Sequence, residues 1–356
     1  VNDGVSTQHI VTDAITNAKI VDDAITPDKL DVVSQSMSNR NVIINGAMNV
    51  AQRGTSSTGL GASSGYFTLD RFKMVCNNTA GRFTMTQDSS APDGFANSLK
   101  LACTTADTSI ASNEEFGILY RMEGQDLQHF KKGTSSAYPT TLSFYVKGNA
   151  SATYVAELMD SDNSSRHIGA TFNVTTDWTR VEITFPGDTT GALDDDANAS
   201  LDLQFFLHAG SNNTSGTLQT SWGTLAQANR AAGISSFFDS TDRTFFITGV
   251  QLEVGQNCTE FEREPYERTL HKCLRYYEYF DYFYRSSLTG YNYKNYSWKV
   301  EKRAAASMST SVASNPDSST LYTINAEGTF GFRQNHYTNG GGAGGITVNT
   351  YGDAEL

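Results

Sequence analysis

The sequence predicts an all-β protein, and three observations carry that reading. Aromatic residues are plentiful, with 17 Tyr and 20 Phe, and so are turn formers, with 30 Gly beside many Ser, Thr and Asn. That mixture favours pleated strands over helix bundles. Apolar and polar residues alternate in short runs separated by Gly, Asn and Asp, the spacing of a β-sandwich or jelly roll. The opening residues repeat with a period that suits neither an isolated helix nor an isolated strand.

The repeat runs from Gly4 to Leu30. Val5, Ile10, Ile15, Ile20, Ile25 and Leu30 put a large aliphatic at every fifth position, while Asp13 and Asp23, Ala14 and Ala24, Thr16 and Thr26, and Lys19 and Lys29 match at ten. On a helix a step of five turns each aliphatic by about 140°, which scatters them round the axis. On a strand the same step alternates faces. The 3.5-residue spacing of a coiled coil is absent. So few aliphatics cannot offset the entropy of ordering the whole segment, so one chain alone does not hold it. Several copies wound side by side do, sharing the aliphatics inward and the backbone hydrogen bonds between chains. A disordered linker is the plain alternative, and the strict period argues against it.

Units such as Asp13-Ala14-Ile15-Thr16-Asn17-Ala18-Lys19-Ile20 resemble the repeats that open bacteriophage tail fibres, where three chains intertwine into a shaft. The resemblance implies a homotrimer, built into the virion, whose N-terminal side grips a phage tail or adaptor protein. It covers about a tenth of the chain, so the rest is read on its own terms.

Residues 31–40 are polar and read as a hinge closing a shaft segment, 1–40. Next come Asn41-Val42-Ile43-Ile44-Asn45-Gly46-Ala47-Met48 with Gln52-Arg53-Gly54, and then Gly65-Tyr66-Phe67-Thr68-Leu69-Asp70-Arg71-Phe72. These phrases resemble the start of a receptor-binding head found in many phage tail fibres. Strand-like alternation follows at 83–87, 98–102, 116–122, 141–147, 153–159, 166–174, 179–185, 201–207 and 243–254. In the last run Val250 and Leu252 point inward and Gln251 outward. Residues 223–233 read as a short helix-like excursion. The phrase from Ile247 through Val250-Gln251-Leu252-Glu253 to Thr259-Glu260-Phe261 resembles the last strands of carbohydrate-binding-type jelly rolls in tail fibres. A jelly-roll domain is thus expected over 41–265 and a smaller β tip domain over 266–356. The tip opens on a helix-like turn at 268–274, runs through strands at 304–312, 322–325, 329–333 and 346–351, and has a glycine loop at 340–345. Its phrases Glu267-Arg268 through Lys272-Cys273 to Arg275-Tyr276-Tyr277, and Asp353-Ala354-Glu355-Leu356, resemble tail-fibre C-termini.

Charge and composition exclude several classes. The net charge of -12 opposes a general nucleic-acid binder and a polybasic membrane surface. No apolar run approaches the roughly 18 residues of a spanning helix, so membrane insertion is not expected. Val1-Asn2-Asp3-Gly4 is no signal peptide and lacks an initiator Met, the expectation for a processed or truncated piece. Cys76, Cys103, Cys258 and Cys273 show no metal-ligand spacing. The first three sit in apolar runs and read as small buried hydrophobes, in keeping with assembly in a reducing host cytoplasm.

Catalytic and cofactor signals are weak. Glu114-Glu115, Asp160 with Asp162, and Asp194-Asp195-Asp196 read as solvated loops, since sequence adjacency does not set the carboxyl separation a glycosidase needs. The six His show no zinc spacing, and no nucleophile elbow or phosphate loop occurs. No cofactor is expected, although jelly rolls of the resembled class often carry a structural calcium ion, whose position the sequence leaves unknown. The sharper signal is aromatic. Tyr residues crowd 276–298, and Tyr291, Tyr293, Tyr296 and Trp298 are the candidate receptor-binding residues, because flat rings beside Asn, Asp and Arg suit sugars. Packing in a core or trimer interface is the competing use of the same residues. The reading is therefore a non-enzymatic fibre subunit that binds a host surface polysaccharide. A glycan-cleaving tailspike and a purely structural neck or baseplate piece are the alternatives; the tailspike fits less well because such enzymes usually carry a long parallel β-helix.

Overall fold

The computed structural model describes residues 39–284, 289–314, 320–339 and 346–356. The repeat aliphatics Val5 to Leu30 and the glycine loop at 340–345 lie outside the described residues. The chain divides into two units, and the second, Asn41–Leu356, is the one described here.

Its first part is a two-layer antiparallel sandwich. The strands in chain order are β1 (Ser56–Leu60), β2 (Lys73–Asn77), β3 (Arg82–Asp88), β4 (Ser98–Thr105), β5 (Glu115–Glu123), β6 (Thr140–Gly148), β7 (Ala152–Asp160), β8 (Arg166–Val174), β9 (Thr179–Phe185), β10 (Ala199–Ala209) and β11 (Thr244–Val254). One sheet has the order β1-β3-β4-β11-β6-β9 and the other β2-β5-β10-β7-β8. The chain crosses between sheets at nearly every connection, as in a jelly roll. Period-2 alternation sends one residue set between the layers: Phe144 of β6 meets Phe205 of β10 and Phe172 of β8, each with ring centres 5.1 Å apart, and Phe83 of β3 meets Phe116 of β5 at 4.8 Å. Val250 and Leu252 point into this core, as the alternation predicts, and Gln251 does not. The excursion expected at 223–233 holds only a 3-10 turn, Gln227–Asn229. Cys76 and Cys103 are buried, but Cys258 is half-buried in a loop, because β11 ends at Val254.

The second part begins with a helix. A single turn, α1 (Ser211–Thr214), precedes it in the chain; α2 (Tyr266–Leu274) starts after Pro265, which suits a helix start. Then follow β12 (Tyr277–Tyr284), β13 (Thr289–Ser297), β14 (Ser307–Ser314), β15 (Thr320–Glu327), β16 (Gly331–Asn339) and β17 (Ile346–Asp353). They form two three-stranded sheets, β12-β17-β14 and β13-β16-β15. Trp298, Ala306, Phe332 and Ala354 are the small core between them, with Phe280, Tyr296 and Met308 packed on it.

The phrases that resembled tail-fibre heads and C-termini are the residues that join the two parts. Asn41 donates to the Val250 carbonyl at 3.1 Å and accepts from the Leu252 amide at 3.1 Å, and a Cβ on Gly46 would lie 2.0 Å from the Val250 oxygen. Asn45, with φ of 64°, spends its whole carboxamide on the backbone: its Nδ2 donates to the Val50 and Asp70 carbonyls, and its Oδ1 accepts from the Asn49 and Val50 amides. Gln52 donates to the Asp70 carboxylate and to the Tyr277 carbonyl. Burial pushes the Asp70 carboxyl up to about 6, against the Gln52 hydrogen bonds and the Arg53 charge. Arg53 lies 3.6 Å over the Tyr277 ring and pairs with Asp353 and Glu355. Arg71 lies 3.5 Å over the Tyr276 ring, pairs with Glu355 and donates to the Arg121 carbonyl at 2.6 Å. Tyr66 donates to the Leu356 carbonyl, and Arg275 makes a two-pronged pair with Glu123.

Both side chains of the Arg71–Glu355 pair are buried, so removing one partner strands the other. Glu355→Ala is expected to destabilise this unit by about 3–5 kcal/mol, read as a lowered denaturation midpoint in urea with an unchanged slope.

Candidate functional site

The aromatic residues chosen from sequence divide. Trp298 is buried on Phe332 with ring centres 4.8 Å apart, and Tyr296 stacks on Phe332 at 4.9 Å. A Cβ on Gly352 would fall 2.3 Å from the Trp298 ring. Trp298 is part of the small core and Tyr296 packs partly buried against it, the packing use that competes with receptor contact. Tyr293 is 69% exposed. Tyr291 occupies the β13 position opposite Tyr337, and its side chain lies outside the described residues.

A second aromatic set lies on the outer face of the six-stranded sheet. The alternation that sends Phe144 and Val146 inward turns Tyr145 and Lys147 outward. In β11, Phe246 and Thr248 lie on the sheet face opposite that of Phe245 and Ile247, and both are buried there by neighbouring side chains and loops. Cross-strand register then builds two rows. Lys100 of β4, Phe246 of β11 and Lys147 of β6 are direct neighbours, and Trp178, one residue before β9, extends that row. Thr248, Tyr145 and Arg180 form the next row. Phe246 and Trp178 meet edge-on at 6.2 Å. Phe95 sits beside Tyr145 at 5.4 Å and Phe261 at 5.1 Å.

A bulge in β11 makes room for Phe95. The register shifts between Thr248 and Gln251, and Gly249 between them has φ of 62°. A Cβ there would lie 2.8 Å from the Phe95 ring, so glycine meets both the backbone and the packing requirement. Cations lie over every ring but that of Phe261: Lys147 over Trp178 at 5.1 Å and Phe246 at 4.9 Å, Lys100 over Phe246 at 5.2 Å, Arg180 over Tyr145 at 6.0 Å and Arg263 over Phe95 at 4.8 Å. Trp178, Tyr145 and Phe95 are each half-buried, whereas Phe246 is buried, only 9% exposed, with Lys100 and Lys147 over its ring. The sequence carried a signal for this face in the alternation of 141–147 and 243–254; the partners Phe95 and Trp178 come from loops, where periodicity is silent.

The outer face of the five-stranded sheet is polar and largely covered. Glu157 takes a two-pronged pair from Arg230 and lies 2.8 Å from His167 Nδ1, while the Ala226 amide donates to His167 Nε2. Residue Asp202 is buried beside Arg121, and burial pushes its carboxyl up to about 6.

Two carboxylate groups expected in solvated loops are instead buried. Asp160 and Asp188 both pair with the Lys132 ammonium, which also donates to the Thr190 carbonyl at 3.0 Å and the Gly191 carbonyl at 2.9 Å. Two carboxylates and two carbonyls are an oxygen set that suits a hard cation, and here the lysine fills it. Burial works to raise the Asp188 carboxyl, and hydrogen bonds from Arg166, Thr190 and Lys132 outweigh it, holding that group below the usual range. Glu114 is buried with Asp107 and His208, their ligand atoms within 4.8 Å of one another. A metal would compete there with existing partners: His208 Nε2 lies 2.9 Å from Glu114 and its Nδ1 2.8 Å from Ser236, while Asp107 accepts from Thr79 and from the Ala80 amide. Asp196 stays in a surface loop, accepting from Asn198.

No protein-family model matches the chain, and no curated protein matches it. Among solved structures the chain is similar to one described as "CBM4 structure and function", at 11% identity and a TM-score of 0.30, over 59% of this chain and 97% of that one. It is similar to the enzymatically active domain of bacteriophage CBA120 tailspike protein 4, at 10% identity and a TM-score of 0.31, over 60% of this chain and 21% of that one. It is also similar to the family 11 carbohydrate-binding module of the cellulosomal cellulase Lic26A-Cel5E of Clostridium thermocellum, at 13% identity and a TM-score of 0.29, over 57% of this chain and 98% of that one. Scores of this size carry no argument about function, which rests on the site itself.

Replacing the lysine leaves Asp160 and Asp188 facing each other without their shared cation. Lys132→Ala is expected to cost about 3–5 kcal/mol, measured as a fall in thermal midpoint, with the ends of β7 and the 186–193 loop losing hydrogen-exchange protection first.

Proposed function

We propose that this chain is a non-catalytic binding protein that holds a cell-surface polysaccharide on the outer face of its six-stranded sheet. The observation that carries the reading is the platform of the half-buried Trp178, Tyr145 and Phe95 on one sheet face, with the buried Phe246 packed between them as its floor. Flat rings bury the apolar C–H face of a sugar, and the polar groups beside them take its hydroxyls; rigid aromatic side chains do this at little entropic cost. The decapeptide repeat supports placing this head on a homotrimeric phage fibre, attached to the tail through its N-terminal side and working in adsorption to the host. The exposed Tyr293 of the tip belongs to the same reading as a second point of contact.

Binding of purified protein to the envelope polysaccharide of a bacterial host, followed by isothermal calorimetry, tests the site. Trp178→Ala and Tyr145→Ala are each expected to weaken it by about 30-fold, near 2 kcal/mol, with the thermal midpoint little changed. Affinity that is unaltered in both variants rejects this face as the site, and release of reducing sugar by the wild-type protein replaces the binding reading with a hydrolytic one.

Quaternary structure has its own check. The full-length protein is expected to sediment as three chains, and Ile15→Asp with Ile20→Asp to shift it toward one. A wild-type monomer at micromolar concentration overturns the fibre assignment.

A further inference from the structure

We infer that the polysaccharide held on this face is an acidic one, carrying carboxylates on its repeating sugars; this rests on the binding site proposed above. The chain as a whole is acidic, with 38 Asp and Glu against 26 Lys and Arg, yet every cation over the platform reaches a ring. Their partners differ. Lys100 pairs with Asp88 at 3.1 Å, and Arg180 pairs with Glu182 at 3.5 Å and Glu260 at 3.8 Å. Lys147 donates to the Ser90 hydroxyl at 2.9 Å, and Arg263 donates to the Gly94 carbonyl at 2.5 Å. Among the described residues neither has a carboxylate within ion-pair distance. Asp88, the ion-pair partner of Lys100, also acts on Lys147 through space, from beyond ion-pair distance. The face therefore presents two cations that form no ion pair among the described residues, one at Trp178 and Phe246, the other at Phe95.

Their position over the rings decides the ligand class. An ammonium 5.1 Å over the half-buried Trp178 and 4.9 Å over the buried Phe246 beside it occupies the Trp178 surface on which a neutral sugar would stack. A neutral ligand has to displace it and forfeit the cation–π contact. An acid sugar keeps that contact and adds an opposite charge to the same ammonium, so the lysine changes from obstacle to partner. Opposed charges also speed encounter with a polymer that the rest of an acidic surface repels. Tyr145, two residues from Lys147 on the same strand face, and Phe95 beside it link the two cations, so consecutive residues of a polymer meet ring and charge in turn.

The test uses immobilised bacterial capsular polysaccharides that contain uronic acids, each paired with its carboxyl-reduced form, in which the uronic acids are converted to neutral sugars. Wild-type protein is expected to bind acidic members and to lose about tenfold or more on carboxyl reduction. Lys147→Met and Arg263→Gln are expected to weaken binding to the acidic form while narrowing its advantage over the reduced form, with thermal midpoints unchanged. Equal binding of native and reduced polymers, or full binding by Lys147→Met beside its loss in Trp178→Ala, overturns the charge requirement and leaves the platform standing. Failure of the wild-type protein to bind any member of either form overturns the platform and the charge requirement together.

Discussion

The Arg71–Glu355 pair is the constraint on which the unit from Asn41 to Leu356 depends. Arg71 adopts φ of 74°, a conformation uncommon for a residue with a side chain, at a position only 1% exposed. Sandwich and tip residues together hold it. The guanidinium is held by the rings of Tyr276 at 3.5 Å and Tyr120 at 5.1 Å, and by the carboxylate of Glu355, next to Leu356. Burial opposes the charge on Arg71, and Glu355 together with the surrounding tyrosines outweighs it, so the group stays firmly protonated. Residues from opposite ends of the unit thus complete a single polar knot in a dry interior. Such a knot is intolerant of partial assembly, because each partner alone is a buried, unpaired charge. It makes the small sheets and the sandwich one cooperative body: Ala354 donates to the Tyr276 carbonyl, and Arg303 reaches the carbonyls of Ala197, Ala354 and Glu355.

Much of the sandwich was legible in sequence because alternation is a local property. The runs 166–174 and 179–185 coincide with β8 and β9. Strands β1 and β2 escaped for physical reasons. In β1 the sequence is Ser-Ser-Thr-Gly-Leu, with no apolar alternation, and it is held as an edge by pairing with β3. β2 is five residues long and apolar in three consecutive positions, which periodicity cannot separate from loop or helix. Sites were harder. Trp298 and Trp178 have the same local look, an aromatic residue at the end of a strand. One is sealed by a second sheet passing over it and the other is not, and only the long-range topology separates them. Asp160 looked like a loop carboxylate beside Asp162; it is buried because Lys132, distant in sequence, folds onto it.

Lys132 and Lys147 show how one functional group serves two ends. Lys132 is surrounded by oxygen: two carboxylates and two carbonyls neutralise and solvate it, so its charge is spent internally and its role is to hold loops together. Lys147 has one hydroxyl partner, Ser90, and otherwise lies against carbon: the rings of Phe246 and Trp178 favour its charge through their quadrupoles without neutralising it. An ammonium of the first kind has nothing left to offer a ligand. One of the second kind makes no ion pair among the described residues, where only the more distant Asp88 offsets its field, at the surface of a sheet whose rigidity comes from the core beneath.

A sheet face is shallow, and a shallow face buries little of any ligand. Contacts with one or two sugars through half-buried rings correspond to weak binding at a single head. That is a poor design for a protein meant to hold on through one site and a good one for a protein that presents several. If three heads share a shaft, a repeating polymer offers each the same sugar motif, and the second and third contacts form at the effective concentration set by the shaft rather than by solution. Avidity then exceeds single-site affinity by orders of magnitude, while each contact stays weak enough to release and re-form along the polymer. On the proposed reading, platform and repeat would serve each other: a shallow face gains its grip from being presented in several copies, and a multichain shaft is what would present them.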